Sequence, residues 1–133
     1  MNKSIMDKRI INGAALLGMT AIILGAFGAH ALKKYLTLQE LTTFETGVKY
    51  QMYHALFLVF LGSLPFLTEK AKKTIFKLVV FGVLCFSGSI YLLATKTITH
   101  IDFKPIGIVT PIGGALLIGA WAVLFWHTLQ RNK

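Results

Sequence analysis

Four long stretches without a charged side chain divide the sequence. They cover residues 10–32, 50–68, 78–95 and 105–130 and are 23, 19, 18 and 26 residues long. An α-helix rises about 1.5 Å per residue, so roughly 20 apolar residues cross the ~30 Å hydrocarbon core of a bilayer. Backbone polar groups in lipid must be paired internally, and runs of this length achieve that as helices. The pattern predicts four membrane-spanning helices, at about residues 10–32, 50–68, 75–95 and 106–129.

The connections between these runs are short, which favours antiparallel neighbours. We therefore expect one domain, residues 1–133, folded as an all-α antiparallel four-helix membrane bundle. The basic residues predict its orientation: with the N-terminus inside, nine of the 14 Lys and Arg residues lie on the cytoplasmic side and five lie outside. The positive-inside rule then places both termini in the cytoplasm.

The segment from residue 37 to residue 49 has a different pattern from the four runs. Thr37 and Glu40 have the spacing of a capping box, which starts a helix. An apolar face follows at helical spacing, formed by Leu38, Leu41, Phe44 and Val48. Two interpretations remain open. One is an amphipathic helix on the outer surface that leads into the second span, with Gly47 at the bend; the other is a three-turn extension of that span.

Small residues recur along one face of the first predicted helix, at Ala14, Gly18, Ala21, Gly25 and Ala29. Small side chains let two helix backbones approach closely within a membrane, so the stripe predicts a tight helix contact. The fourth predicted helix has a similar group, formed by Gly113, Gly114 and Gly119 beside Trp121. Pro111 is expected either to start that helix, with Thr110 as its cap, or to kink it.

Histidine supplies the candidate chemistry. His30 ends the first run and His54 follows the start of the second, so both are predicted near the outer surface. Polar groups at membrane depth usually have a partner. The pattern favours a hydrogen-bonded clasp of His30, Gln51 and His54. A metal site formed by His30 and His54 is the weaker alternative, and no cofactor is expected.

Charge and motif content narrow the function classes. The net charge is +9, but the basic residues lie at the ends of the runs, which indicates contact with anionic lipid headgroups and not with nucleic acid. No carboxylate lies within any run, and no catalytic set is evident, so an enzyme or an ion-coupled transporter is not expected. The sequence favours a non-enzymatic membrane protein that packs with lipid, with itself as a homo-oligomer, or with a larger membrane complex. The alternative is a small oligomeric transporter or channel for a neutral or lipophilic solute.

Four motifs carry a family resemblance. They are Asn12–Ala14 with Gly25–Leu32, then Phe44–Ala55, then Phe86–Tyr91, and Thr110–Gly114 followed by Gly119–Trp121. In this order they resemble the family called domain of unknown function 423, with YgdD-type and YwdK-type members and the eukaryotic transmembrane protein 256. One departure is Ala120, which separates Gly119 from Trp121. The resemblance implies four spans in a bacterial cytoplasmic membrane and no established biochemical role. The motif positions include Gly25, Gly28, Ala29, His30, Glu45, Gln51, His54, Pro111, Gly113, Gly114, Gly119 and Trp121.

Overall fold

The computed structural model describes residues 4–131, which form helices and turns without a strand. The long helices are α1 (Ile5–His30), α2 (Leu38–Ser63), α3 (Glu69–Ala94) and α5 (Val109–Gln130), and α4 (Lys96–Thr99) is a single turn. Short 3₁₀ turns follow α1 at Leu32–Lys34 and precede α5 at Lys104–Ile108. Lys3 and Lys133, which contribute to the charge count above, lie outside the described residues.

Three segments of the described chain are long and apolar enough to cross a membrane: Ile5–Lys34, Glu69–Ala94 and Lys104–Gln130. The prediction of an all-helical protein is confirmed, and these three helices are candidate membrane spans by length and composition. The remaining long helix, α2, has 26 residues, as α1 and α3 do. Its first half is more polar because Glu40, Glu45 and Lys49 lie within it.

α2 joins the capped segment and the second uncharged run in one helix, as the second interpretation predicted, and it ends five residues before the predicted boundary at residue 68. It runs without interruption from Leu38 to Ser63, so a separate amphipathic helix on the outer surface is wrong, and Gly47 does not break the helix. The capping box is confirmed: the Thr37 hydroxyl accepts the Glu40 N–H at 3.2 Å, and the Glu40 carboxylate accepts the Thr37 N–H at 2.9 Å. The helix ends because Leu64 precedes Pro65 and is therefore extended. Residues 64–68 form a turn and not the end of a span.

α5 begins at Val109, three residues after the predicted start of the fourth span at residue 106 and two residues before Pro111. Pro111 is the third residue of the helix, where its missing N–H has no partner within the helix to lose, so it causes no break. Thr110 is not the cap. Its hydroxyl lies 2.6 Å from the Ser89 hydroxyl and joins α5 to α3.

The long helices pack in chain order, α1 on α2, α2 on α3 and α3 on α5, and α1 does not approach α5. Ile11 near the start of α1 lies beside Gly62 at the end of α2, and Gly28 near the end of α1 lies beside Phe44 at the start of α2. Two apolar clusters form the core. The larger contains Ile10, Ala14, Leu58, Leu61, Ile75, Val79, Val83 and Leu117, and the smaller contains Leu32, Leu36, Phe44 and Ala94.

An ion pair joins the first turns of α1 and α3. Lys72 Nζ lies 2.6 Å from Asp7 Oδ1, and the two side chains are only 6% and 15% exposed. The basic residues near the ends of the uncharged runs were predicted to contact lipid headgroups, and this is wrong for Lys72, because its ammonium is buried against a carboxylate. The pair fixes the start of α1 against the start of α3.

Candidate functional site

Gln51 connects three helices through one amide. Its Nε2 donates to the Leu17 carbonyl at 3.0 Å and to the Thr20 hydroxyl at 2.7 Å, both on α1. Its Oε1 accepts the Tyr91 hydroxyl of α3 at 2.6 Å. Gln51 is 5% exposed and lies between the two apolar clusters. Every polar atom of this side chain is thus paired, as a buried amide requires.

His54 lies one turn further along α2 and faces α5. Its Nδ1 is 2.8 Å from the Tyr50 carbonyl oxygen, and its Nε2 is 3.2 Å from Trp121 Nε1. A carbonyl can only accept and an indole N–H can only donate. The two contacts therefore assign the neutral tautomer with the proton on Nδ1, so that Nε2 accepts the Trp121 N–H. The Trp121 ring also packs on Phe57, with centroids 4.3 Å apart.

A cavity of about 320 Å³ lies beside this pair. The backbones of α2 and α5 do not approach closely, and the His54–Trp121 and Phe57–Trp121 contacts bridge the gap between them. The absence of a side chain at Gly114 leaves this space open, since a Cβ there would lie 3.7 Å from the Phe86 ring. Most of the lining is apolar; it comprises Tyr50, His54, Phe86, Gly114, Leu117, Ile118 and Trp121.

The predicted clasp of His30, Gln51 and His54 is wrong. Gln51 and His54 bond to different partners, and His30 is exposed at the end of α1. His54 of α2 lies at about the same height in the bundle as Gly18 of α1. The next residue of α2, Ala55, would be 3.7 Å from a Cβ added at Gly18. Gly18 is 12 residues from His30, or about 18 Å along a helix at ~1.5 Å per residue. The two imidazoles are therefore too far apart to share a metal ion.

The stripe of small residues on α1 faces α2 over most of its length. Ala14 and Ala21 are buried, and Cβ atoms added at Gly25 and Gly28 would lie 3.3 Å from Val48 and 3.1 Å from Phe44. Ala29 is exposed and lies off this face.

On α5, Gly113 packs directly against the α3 backbone, where an added Cβ would lie 2.8 Å from Phe86 Cα. Gly119 is less crowded, with Leu78 4.0 Å from such a Cβ. Pro111 and Glu45 are exposed. Gly113 is thus the closest approach of α3 and α5 among these residues, whereas Gly119 leaves space.

Several residues of the site were not predicted from the sequence. Thr20 and Tyr91 bond to Gln51, and Ser87 donates its hydroxyl to the Gly47 carbonyl at 2.7 Å. The Tyr91 hydroxyl points into the protein at Gln51. Hydroxyl side chains inside uncharged runs were the available signal, because a polar group at membrane depth needs a partner.

Glu40 joins the start of α2 to α4 at one end of the protein. Its carboxylate accepts the Thr97 hydroxyl at 2.8 Å, in addition to the Thr37 N–H, and so links the start of α2 to α4. Glu40 lies one helical turn before Phe44, which packs beside Gly28 near the end of α1. Glu40 is therefore outside the apolar part of the helices. Its pKa is lowered, chiefly by the hydrogen bond from the Thr37 N–H and then by that from the Thr97 hydroxyl.

Within residues 4–131, no group of three or more His, Cys, Asp or Glu side chains is placed to hold a metal ion. Cys85 is a free thiol, partly buried in α3.

Comparison with known proteins identifies the family. Residues 24–114 match the family model described as protein of unknown function (DUF423). The chain belongs to the DUF423 family. A UPF0382 membrane protein of Staphylococcus saprophyticus is 41% identical over 116 residues, covering 87% of this chain and 92% of its own. Bacillus subtilis UPF0382 membrane protein YwdK is 36% identical, over 83% of this chain and 87% of its own.

The Escherichia coli UPF0382 inner membrane protein YgdD is 34% identical, over 90% of this chain and 88% of its own. No solved structure matches the chain. The DUF423 match includes α2, α3 and the first residues of α5, so Gln51, His54 and Gly114 lie inside it and Trp121 lies beyond it. The resemblance seen in the sequence motifs is confirmed, and the chain is a membrane protein of an uncharacterised family.

Proposed function

We propose that this DUF423 protein is a non-enzymatic four-span protein of the bacterial cytoplasmic membrane that holds a hydrocarbon chain of a membrane lipid beside His54. The observation that carries the proposal is the cavity between α2, α3 and α5, with its mostly apolar lining. Its volume, about 320 Å³, is at the lower end of the ~300–1,000 Å³ of ligand pockets.

The four-span part of the proposal makes α2 the second span of an antiparallel bundle. Its 26 residues measure about 39 Å as a helix, more than the ~30 Å hydrocarbon core. Contacts at both of its ends support this: Phe44 lies at the level of Gly28, and Gly62 at the level of Ile11. Gln51 and His54 are compatible with lipid because their polar atoms are paired inside the protein. The nine-to-five charge distribution supports cytoplasmic termini.

The depth of the cavity selects the kind of ligand. His54 is level with Gly18, near the middle of the uncharged run of residues 10–32, so the cavity lies close to the membrane midplane. A lipid headgroup cannot reach this depth, whereas the ends of its hydrocarbon chains lie there. Both nitrogens of His54 are engaged within the protein. The cavity therefore favours an alkyl chain over a polar ligand.

Native mass spectrometry of protein released from phosphatidylcholine nanodiscs tests this proposal. We expect wild type to retain one lipid per chain. Gly114→Leu fills the cavity and should lose that lipid. Gly119→Leu is the matched control on the same helix, where an added Cβ would lie 4.0 Å from Leu78 and outside the cavity lining, and it should keep the lipid. Equal retention by both variants would overturn the proposal.

The same spectra examine the homo-oligomer that the sequence left open. A cavity that opens on the lipid-facing surface can also receive a neighbouring subunit. A dominant dimer without lipid, dissociated by Gly114→Leu, would replace the lipid-binding proposal with an oligomer, the assembly expected of a transporter or channel.

A further inference from the structure

The first turns of α1 and α3 line a second cavity, of about 420 Å³, which is open to the surface at the end of the protein opposite to Glu40. Arg9, Lys70 and Lys73 supply three positive charges to its lining and Glu69 one negative charge, so the lining carries a net charge of two. Ile5 and Met6 form its apolar side. We propose that this cavity binds the phosphate of an anionic phospholipid headgroup.

Lys72 lies outside this cavity and neutralises Asp7, so Asp7 does not offset the positive charge of the lining. The only carboxylate near it on α1, Asp7, is committed to Lys72 at 2.6 Å. Arg9, Lys70 and Lys73 form no ion pair with a carboxylate among residues 4–131. The buried pair also holds the start of α1 against the start of α3, so the helix turns that carry the three cations are fixed relative to each other. Three unpaired cations at one site suit a phosphate, which offers several acceptor oxygens.

The position of the cavity indicates a lipid source for this phosphate. The uncharged runs begin at Ile10 on α1 and at Leu78 on α3, so the cavity lies just outside the apolar part of the helices. This is the headgroup level of the membrane, and basic pockets between helices on the cytoplasmic side are known to suit anionic headgroups. Ile5 is 74% exposed and provides an apolar wall for the adjoining glycerol and chains. This inference rests on the membrane orientation proposed above, but not on the cavity at His54.

The test is lipid selection in nanodiscs of equal parts phosphatidylglycerol and phosphatidylcholine, read by native mass spectrometry. Wild type should retain phosphatidylglycerol in preference to phosphatidylcholine. The combined change Arg9→Gln, Lys70→Gln and Lys73→Gln should lower that preference on the order of tenfold or more, since each basic residue near the surface contributes to anionic lipid attraction. The control Lys33→Gln, Lys34→Gln and Lys104→Gln removes the same charge at the other end and should keep the preference.

A second variant distinguishes a specific loss of lipid binding from a loss caused by misfolding of the triple variant. Glu69→Gln removes no cation and raises the net charge of the lining from two to three, so it should increase phosphatidylglycerol retention. Equal loss in both triple variants, or no gain with Glu69→Gln, would overturn the proposal.

Inorganic phosphate added to the lipid-free protein in detergent distinguishes the two phosphate sources. Thermal protection by inorganic phosphate equal to that by phosphatidylglycerol would assign the cavity to a soluble phosphate and overturn the lipid source. Gly114→Leu removes only the lipid expected beside His54, so the lipid that this variant still retains should be phosphatidylglycerol, which separates a failure here from a failure of the chain-binding proposal.

Discussion

Gln51→Leu removes the amide that joins α1, α2 and α3. Three hydrogen bonds are lost, of 3.0, 2.7 and 2.6 Å, to Leu17, Thr20 and Tyr91. Interhelical polar contacts in membranes average about 0.6 kcal/mol and reach about 1.7. Three average contacts predict a loss of about 2 kcal/mol of unfolding free energy. The added apolar surface does not offset this loss, because lipid is as apolar as leucine.

The cost should fall mainly on the Tyr91 hydroxyl. Thr20 can still donate to the Leu16 and Leu17 carbonyls, at 2.8 and 3.1 Å, whereas the Tyr91 hydroxyl loses the Gln51 acceptor. Tyr91→Phe should therefore cost much less in the Gln51→Leu background than in wild type. The difference is the coupling energy of this pair, expected at roughly 0.6–1.7 kcal/mol.

Reversible unfolding in mixed micelles of increasing SDS content, followed by circular dichroism, measures these free energies. Gln39→Leu is the matched control, because Gln39 is exposed near the start of the same helix. The reasoning is refuted if Gln51→Leu costs no more than Gln39→Leu, or if Gln51→Leu and Tyr91→Phe are additive.

Three further results are expected. Gly25→Leu should reduce the folded fraction on size exclusion, because even a Cβ added at Gly25 would lie 3.3 Å from Val48. Ile23→Leu, at an exposed position of the same helix, should lower the free energy of unfolding by under ~1.5 kcal/mol. Equal folded fractions of the two variants would contradict the close contact. In SDS titrations His54→Gln, which can still accept the Trp121 N–H, should be more stable than His54→Leu by about 1 kcal/mol; the opposite order would contradict the bond. Because hydrogen bonds lower the pKa of Glu40 in the folded protein, the contribution of this carboxylate to stability should be complete above its ordinary pKa of 4.5 and lost as the pH falls through the lower folded-state pKa. Glu40→Gln should abolish this part of the acid dependence of stability. An unchanged pH profile in Glu40→Gln would contradict the role of the carboxylate.

The helical segments were largely predictable, because charge and apolar length determine what crosses lipid. The capping box at Thr37 and Glu40 predicted the start of α2 to the residue. This capping box also implies a deeper position for His54 than the predicted one near the outer surface. A helix that starts at Leu38 and continues without a break carries His54 about 24 Å from its first residue, far from the outer surface. The uncharged run by itself predicted His54 near the membrane surface, because that run begins at Tyr50, after Lys49.

The hydrogen-bond partners could not be predicted from the sequence. Trp121 is 67 residues from His54, and Lys72 is 65 residues from Asp7. Such pairs depend on which helix faces are adjacent. Helical spacing defines a face, but it does not say which neighbour that face meets. Gln51 illustrates this limit: its position in an apolar run predicted a polar partner but not that Tyr91 and Thr20 would be on opposite sides of it.

The proposed four-span topology and the midplane position of His54 both require α2 to cross the membrane, and cysteine accessibility in intact cells measures this. In a Cys85→Ser background, Gln39→Cys lies in the first turn of α2 and Pro65→Cys lies in the turn after it, and both positions are exposed. A membrane-impermeant maleimide applied from outside should label Gln39→Cys in intact cells, and should label Pro65→Cys only after permeabilisation. Labelling of both positions from the same side would contradict the account, because α2 would then not cross and His54 would not lie at the midplane.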